Sequence, residues 1–480
     1  MTTAAPTRIA PALERIRRAL GPGAYLEAPA DVAPYLTDFR SLYHGAAPMV
    51  VCPASTNDVA VLLAICHEQR IGVVPQGGNT SYCGGATPDE SGEQIVLSLR
   101  RMNRVRAIDA DNFSMTVEAG CLLAEVQAAA QAADRYFPLS LGSEGSCQVG
   151  GNLSTNAGGL NAVHYGVARD LVLGLEVVLA DGRVIDGLTS LRKDNTGYDL
   201  RHLFMGAEGT LGVITAASLK LYPAPRTVET AFVAVPDAAA AVQLLTLMRA
   251  ATGDAVTSFE YLPRIAVEFT ARHIPGVSDP LDRPHEYYVL CEVSTARADP
   301  ALRNLLEQSL ATAMERGLVV DAVIAASLAQ RNALWKLRES VPEAQKHEGA
   351  SIKHDVSVPV ASLPAFLEQA SAAVLAIAPS ARLVAYGHIG DGNLHFNLSQ
   401  PVGDDPKAFL AHTHALETAV YELVRQFRGS ISAEHGIGRL KRVELGKHRS
   451  AVDLAVMRQI KQALDPHGIM NPGKVLPDPP

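Results

Sequence analysis

Residues 141–159 read LGSEGSCQVGGNLSTNAGG, with Gly142, Gly145, Gly150, Gly151, Gly158 and Gly159 set among short hydroxyl and amide side chains. Irregular stretches of this length in compact domains are normally functional, and glycine lets backbone N–H groups approach a partner without a Cβ in the way. An earlier run, Pro75-Gln76-Gly77-Gly78-Asn79-Thr80-Ser81, comes straight off an apolar strand-like segment. Taken alone it fits either an ordinary glycine turn or a nest of amides for phosphate oxygens. A third element, Gly206-Ala207-Glu208-Gly209-Thr210-Leu211-Gly212-Val213-Ile214-Thr215, spaces glycines ahead of a strand, so that a backbone edge would meet a flat ligand. Neither G-x-G-x-x-G nor G-x-x-x-x-G-K-[ST] occurs, so phosphate binding at a helix N-terminus is not expected. Two glycine runs and a glycine-edged strand predict a loop-bound ligand as long as a dinucleotide.

The composition narrows the partners. At 480 residues with 48% apolar and 19% charged side chains, the chain is sized for two or three globular domains. A net charge of −8 without a Lys/Arg block leaves no electrostatic footprint for nucleic acid. No transmembrane span is expected, since the nearest candidate, 231–251, is broken by Pro236, Asp237, Gln243 and Arg249. The six cysteines form no C-x-x-C pair, which reads as buried thiols in a reducing compartment. With no secretory segment, a cytoplasmic address follows, compatible with peripheral membrane association.

Periodicity divides the chain further. A helix at about 8–20 precedes a strand at 49–52, a helix opening at Ser55 or Thr56 with Val59, Leu62, Leu63 and Cys66 on one face, strands at 71–75, 95–99, 105–108 and 114–118, and a helix near 122–133. Strands at 171–180 and 183–185 flank Asp181-Gly182, a type I′ hairpin signal. Pro223, Pro225 and Arg226 mark a boundary. Beyond it, strands at 228–235, 256–261, 287–295, 319–325, 352–358 and 381–388 alternate with long helices, including one over 326–346, and predict a sheet with helices on one face. A helical tail follows from about 430. The fold class is α+β.

The second constellation is His388-Ile389-Gly390-Asp391-Gly392-Asn393-Leu394-His395-Phe396-Asn397. If Asp391-Gly392 is a two-residue hairpin turn, His388 and His395 are directly opposed, a spacing suited to two imidazoles on one metal ion, and Asn397 shares their face. Ser432-Ala433-Glu434-His435-Gly436 offers a carboxylate and another histidine. Two His and one Glu with open positions form a catalytic pattern for Zn²⁺, Mn²⁺ or Co²⁺. Arg338, on an amphipathic helix, and Lys353, in a strand, read as solvated charges unless the substrate is anionic. From these residues alone, a flavin-free metal hydrolase and a nucleotide-binding module remain rivals.

The runs PQGGNTSYCGGATP (75–88), GSEGSCQVGGNLSTNAGG (142–159), HYGVARDLVLGLEVVLADG (164–182), LRKDNTGYDLRHLFMGAEGTLGVIT (191–215), GHIGDGNLHFN (387–397), SAEHGIG (432–438) and MNPGK (470–474) resemble those of FAD-linked dehydrogenases of the vanillyl-alcohol-oxidase superfamily. Within it, the chain is similar to the branch of D-2-hydroxyglutarate and D-lactate dehydrogenases over residues 30–478. The resemblance implies an N-terminal helical segment (1–42), a PCMH-type FAD-binding domain of two subdomains (43–224), an α+β cap domain with an antiparallel sheet (225–430), and a helical C-terminal segment returning to the flavin (431–480). It assigns FAD contacts to Pro75, Gln76, Gly77, Gly78, Asn79, Thr80, Ser81, Leu141, Gly142, Gly145, Ser146, Gly151, Asn152, Ser154, Thr155, Glu208, Gly209, Gly212, Ile214 and Asn471. Asn79 stands where covalently flavinylated relatives place histidine, so FAD is expected to be noncovalent. His388, His395 and Glu434 match the family's metal ligands, with Zn²⁺ the favoured ion. His435 matches its base and a substrate contact, and Arg338, Lys353 and Asn397 match its substrate positions. The implied reaction oxidises a D-2-hydroxy acid, with an electron-transfer flavoprotein or a quinone as acceptor and a homodimer as the candidate assembly. One departure is Pro342, where the glutarate enzymes commonly have threonine; proline has no N–H to donate.

Overall fold

The computed structural model describes residues 9–478. It comprises two compact units. One runs through Ala157, resumes over Val167–Ala224 and closes with the segment that starts at Glu434; the other comprises Gly158–Gly166 and Pro225–Ala433. The short stretch 158–166, expected with the flavin domain, clusters with the second unit because Asn161 Oδ1 accepts a hydrogen bond from Ser258 Oγ (3.1 Å) and the helix Ala162–Tyr165 packs on the strand Val256–Pro263.

The first unit holds two larger sheets, in keeping with the expected pair of subdomains, and a two-stranded pair of Arg135–Tyr136 with Tyr222–Pro223. In the four-stranded sheet, Gln94–Ser98 pairs in parallel with both Val50–Val51 and Gly72–Gln76. The helix Thr56–Gln69 starts at Ser55, whose side chain accepts from Asp58 N, and buries the expected face of Val59, Leu62, Leu63 and Cys66. Strand Gly72–Gln76 is an edge strand, where a proline such as Pro75 is tolerated. Its outer side is covered by the C-terminal segment: Val73 N donates to Ile469 O and Asn471 N to Val73 O, both 2.8 Å. The second sheet has five antiparallel strands in the order Val105–Asp109, Ser114–Glu118, Val213–Lys220, Val172–Val178, Val184–Gly187. The turn at Asp181-Gly182 is not type I′, which needs positive φ at both central residues. Only Gly182 has one (+87°), and Gly182 N donates to Leu179 O (2.9 Å). This is a three-residue connection, a type I turn followed by a left-handed glycine.

In the second unit, Val256–Pro263, Tyr287–Thr295, Thr227–Val235 and Asp321–Ile324 form an antiparallel sheet in that order. Helices cover both of its faces, not one as expected. Ala231, Val233 and Val235 join a core with Leu244, Met248, Leu306 and Leu310, while Phe232 and Ala234 join another with Val267, Phe269, Leu334 and Leu337. Two features carry the second face. The helix Arg264–His273 falls where no element is expected, and the single helix expected over 326–346 breaks at Ser340 into Leu328–Glu339 and Val341–Lys346. Pro342 lies in the first turn of the latter, where its missing N–H costs nothing.

A second sheet in this unit, in the order Ser351–Ser357, Asn393–Ser399, Arg382–Tyr386, packs Leu394, Phe396 and Leu398 against Phe366 and Val374 of the helix Leu363–Ile377. The stretch Val360–Ile377 is long and apolar enough to span a membrane, but it places Leu363, Phe366, Ala370 and Val374 in this core. Glu348 ties the far edge of the sheet. It pairs with Arg382 Nη1, with Arg272 Nη1 (2.8 Å) and with His273 Nε2 (2.6 Å).

Burial by itself raises the Glu348 carboxyl, but Arg382, His273 and Arg272 outweigh it and hold it at about 2, below an ordinary value of 4.5. Its contribution is therefore present above pH 4.5 and lost as pH falls toward 2. Replacing Glu348 with Gln should lower Tm at neutral pH and flatten its decline between about pH 5 and 3; an unchanged acid slope by differential scanning fluorimetry would sink this account.

Candidate active site

In the first unit the glycine runs divide into two kinds. A Cβ on Gly78 would lie 2.1 Å from Ser146 O, so Gly78 is glycine because the first run packs directly on the second. Gly142, Gly145 and Gly151 have nothing within 4 Å of such a Cβ, and their backbone faces open space. Those are the positions left for a ligand. The second run is not wholly loop: Val149–Ser154 is a short helix, with Asn152 buried within it. Gln148 Oε1 and Asn471 Oδ1 are buried without a hydrogen-bond partner, acceptors that a cofactor donor would satisfy.

Other expected cofactor residues hold the protein together. Gln76 Nε2 donates to Tyr35 O and Ala86 O, and Asn79 Nδ2, on a residue with φ of +54°, donates to Thr37 O (2.8 Å). Thr155 Oγ1 donates to Gly151 O (3.1 Å), and Ser146 Oγ to Ser143 O (3.2 Å). Glu208 accepts from Ile437 N and Gly438 N. The strand Val213–Lys220 is central in its sheet, paired on both sides, and Ile214 is buried opposite Val177. The backbone edge expected there narrows to Val213 and Ile214, whose ladder partners are Val178 and Val177 on one side, since pairing with Ser114–Glu118 begins at Ala216. Gly212 is set instead by packing, since a Cβ would lie 2.9 Å from Val177 Cγ1, and a Cβ on Gly209 would press on Pro75 at 3.1 Å.

In the second unit the expected hairpin is overridden. Tyr386, not His388, lies opposite His395, and residues 387–392 form a longer connection. The cause is tertiary. Tyr261 N donates to Gly387 O (2.8 Å), Gly387 N to Tyr261 O (3.0 Å) and Gly390 N to Phe259 O (3.2 Å), so the strand Val256–Pro263 draws the connection out of the hairpin. This capture sets Glu260 beside His388. Glu260 is fully buried; its Oε1 lies 2.7 Å from His388 Nδ1, and its Oε2 accepts from Arg338 Nε at 2.8 Å. Burial alone raises the Glu260 carboxyl, but His388 and Arg338 pull it down to about 2. An ionised Glu260 accepts a hydrogen bond from Nδ1–H of His388, the arrangement found behind metal-binding imidazoles, in which Nε2 is the ligating nitrogen. Arg338 Nη2 lies 2.7 Å from Oε2 without hydrogen-bond alignment and is otherwise unpartnered.

Period two does the rest. Lys353 pairs with Asn397 and Asp355 with His395, so these four share one sheet face with Tyr386. The His388 and His395 rings lie 5.4 Å apart, His395 and Tyr386 5.1 Å, and the Arg338 guanidinium stands 4.9 Å over the Tyr386 ring. Asn397 Nδ2 donates to Gln345 Oε1, and Asn393 Nδ2 to Asp355 Oδ1, both 3.0 Å. Ser357 and Ser430 exchange backbone bonds, and Ala433 N donates to Asp355 O (3.4 Å). Glu434 and His435 are the next two residues of the chain. Thus Arg338, Lys353, His388, His395 and Asn397 come together, joined by Glu260, Asp355, Tyr386 and Gln345, which sequence reasoning missed. The signal for Glu260 was a carboxylate inside the apolar strand VTSFEYLP.

Comparison with known proteins decides the family. Residues 47–187 match the FAD binding domain and residues 224–475 the C-terminal domain of FAD linked oxidases. The chain belongs to the FAD-linked oxidases. It is similar to the mitochondrial D-2-hydroxyglutarate dehydrogenase of Arabidopsis thaliana, 38% identical over 441 residues covering 92% of this chain and 77% of that one. The mitochondrial enzyme of Bos taurus is 41% identical over 473 residues, 97% of this chain and 83% of its own. The solved structure of p-cresol methylhydroxylase shares the fold, with a TM-score of 0.77, 16% identity, and 98% and 97% of the two chains covered. This FAD-linked oxidase is therefore an FAD-dependent D-2-hydroxy-acid dehydrogenase. The cytoplasmic address is corrected: these relatives are mitochondrial by name, and buried reduced cysteines describe any reducing compartment without choosing between them.

Replacing Glu260 with Gln strands a buried arginine between neutral neighbours and should cost ~3–5 kcal/mol of stability. Denaturant unfolding of the FAD-loaded enzyme measures it; wild-type stability would show the pairing to carry no weight.

Proposed function

We propose that this enzyme oxidises D-2-hydroxyglutarate to 2-oxoglutarate, with hydride leaving C2 for a noncovalent FAD and electrons passing on to an electron-transfer flavoprotein or a quinone. The names of its relatives support the substrate. The observation that carries the chemistry is Glu260 on His388 Nδ1, which prepares Nε2 as a ligand. His388, His395 and Glu434 would hold a divalent cation, with Zn²⁺ favoured over Mn²⁺ and Co²⁺ by imidazole and carboxylate donors. When bound, FAD accepts the hydride and the cation lowers the pKa of a hydroxyl coordinated to it.

The chain's own groups do the remainder. Arg338, with Nη2 unspent, and Lys353 hold substrate carboxylates, and Asn397, whose amide N–H is taken by Gln345, offers its oxygen to the substrate. His435 removes the hydroxyl proton. The glycine faces at Gly142, Gly145 and Gly151 receive the flavin's phosphates, and Asn471 Oδ1 a donor from the same cofactor. A second reading, a shorter acid such as D-lactate, rests on Pro342, which supplies no side-chain donor for a distal carboxylate.

Anaerobic mixing with D-2-hydroxyglutarate should bleach the flavin, with the L-isomer inert and D-lactate slower; bleaching by D-lactate alone would favour the second reading, and by L-acids alone would overturn both. Dialysis against a chelator should abolish turnover, and Zn²⁺, Mn²⁺ or Co²⁺ should restore it; retained activity at full metal loss would remove the cation from the scheme. His435→Asn should lower kcat by roughly 10²–10⁴ with KM little changed, and unchanged turnover would dismiss it as the base.

A further inference from the structure

Glu208 was expected to touch the cofactor, but its carboxylate faces the chain. Oε1 accepts from Ile437 N at 2.6 Å and Oε2 from Gly438 N at 2.8 Å, two successive amides immediately after His435-Gly436. Glu208 is 9% exposed. Its own backbone is gripped from two sides: Glu208 N donates to Ser154 O (2.8 Å), in the second glycine run, and Asn471 Nδ2 donates to Glu208 O (2.7 Å), in the closing motif. The residue is held at φ of +51° between Gly206 (+77°) and Gly209 (+70°), a conformation that a bulky non-glycine residue keeps only when its surroundings impose it.

The receiving loop is shaped to match. Gly436 has φ of +72°, and a Cβ there would sit 2.7 Å from Glu208 Oε1; a Cβ on Gly438 would sit 2.2 Å from Cys83 O. From the other side, Cys83 O accepts from Arg439 N (2.8 Å), Cys83 Sγ approaches Gly436 O (3.4 Å), and the neighbouring Tyr82 ring meets the His435 ring at 4.6 Å. The loop is thus fastened at 436–439, directly beside His435.

We propose that Glu208 is a positioning residue that fixes the reach of His435 by clamping the amides of Ile437 and Gly438 to the glycine runs. The inference rests on His435 being the base. Two amides need two acceptors. A carboxylate supplies both, whereas an amide side chain supplies one and opposes the other N–H with its own donors. Burial pushes the Glu208 carboxyl up to about 7, against the pull of the Ile437 and Gly438 amides and of the Lys441 charge. Because general-base transfer falls steeply with misplacement of about an ångström, loosening this clamp acts on rate more than on substrate affinity.

The test uses the FAD-loaded Glu208→Gln enzyme and whichever D-2-hydroxy acid bleaches the wild type. Stopped-flow flavin reduction should slow by about 10- to 100-fold, with substrate Kd within about threefold, the flavin spectrum retained, and the pH midpoint of the reduction rate displaced. Gly436→Ala, which drives a methyl into Oε1, should slow reduction likewise, and Glu208→Asp in the Gly436→Ala background should recover part of it by making room. Wild-type reduction rate and pH midpoint in both single variants would overturn the clamp. If Glu208→Gln loses its flavin, Gly436→Ala and its rescue decide alone. His435→Asn, run in parallel, separates the two claims: full activity there removes the base, while its loss beside an unaffected Glu208→Gln removes only the clamp.

Discussion

One buried carboxylate organises the second unit's chemistry. Glu260 has no exposed surface, and a guanidinium and an imidazole lean on it. Isolated, such a charge is prohibitive to bury; with Arg338 on one oxygen and His388 on the other it is the hub through which a helix, a sheet strand and an irregular connection are held in one place. Geometry and ionisation are the same fact here. The depressed carboxyl keeps its charge, and the charge orients the Arg338 guanidinium and the His388 imidazole together.

Glycine plays two parts that composition cannot separate. At Gly78 and Gly438 the missing Cβ lets two pieces of this chain touch, so those glycines build the scaffold. At Gly142, Gly145 and Gly151 it faces nothing, so those shape a surface for something else. Four left-handed non-glycine residues, Asn79, Asn156, Glu208 and Asn471, lie in or beside these runs. Backbone held in sparsely populated regions collects where a scaffold must present groups at fixed positions.

Much of this was legible in the chain itself. Alternation placed His395 and Asn397 on one face because strands have a period of two and their neighbours, Phe396 above all, needed the core. The motifs carried the flavin fold for the same reason that they are long: several loops must meet one cofactor. What was not legible is non-local. Asp391-Gly392 signals a tight turn, yet the strand at 256–263 outbids it with backbone bonds of its own, and no local propensity encodes a competitor more than a hundred residues away. Glu260 and Asp355 were passed over because an acid in an apolar strand names no partner until the partner is folded against it. The helix at 264–273 was missed, and with it the second covered face of the sheet.

The strip Ile469–Asn471 along Val73 has a consequence for biogenesis. Until it arrives, the strand Gly72–Gln76 presents an unpaired ladder edge, the kind of template on which chains aggregate. On a ribosome adding ~5–20 residues per second, that edge stays bare for tens of seconds while the whole second unit is made. The first unit therefore cannot finish folding before the second has been synthesised.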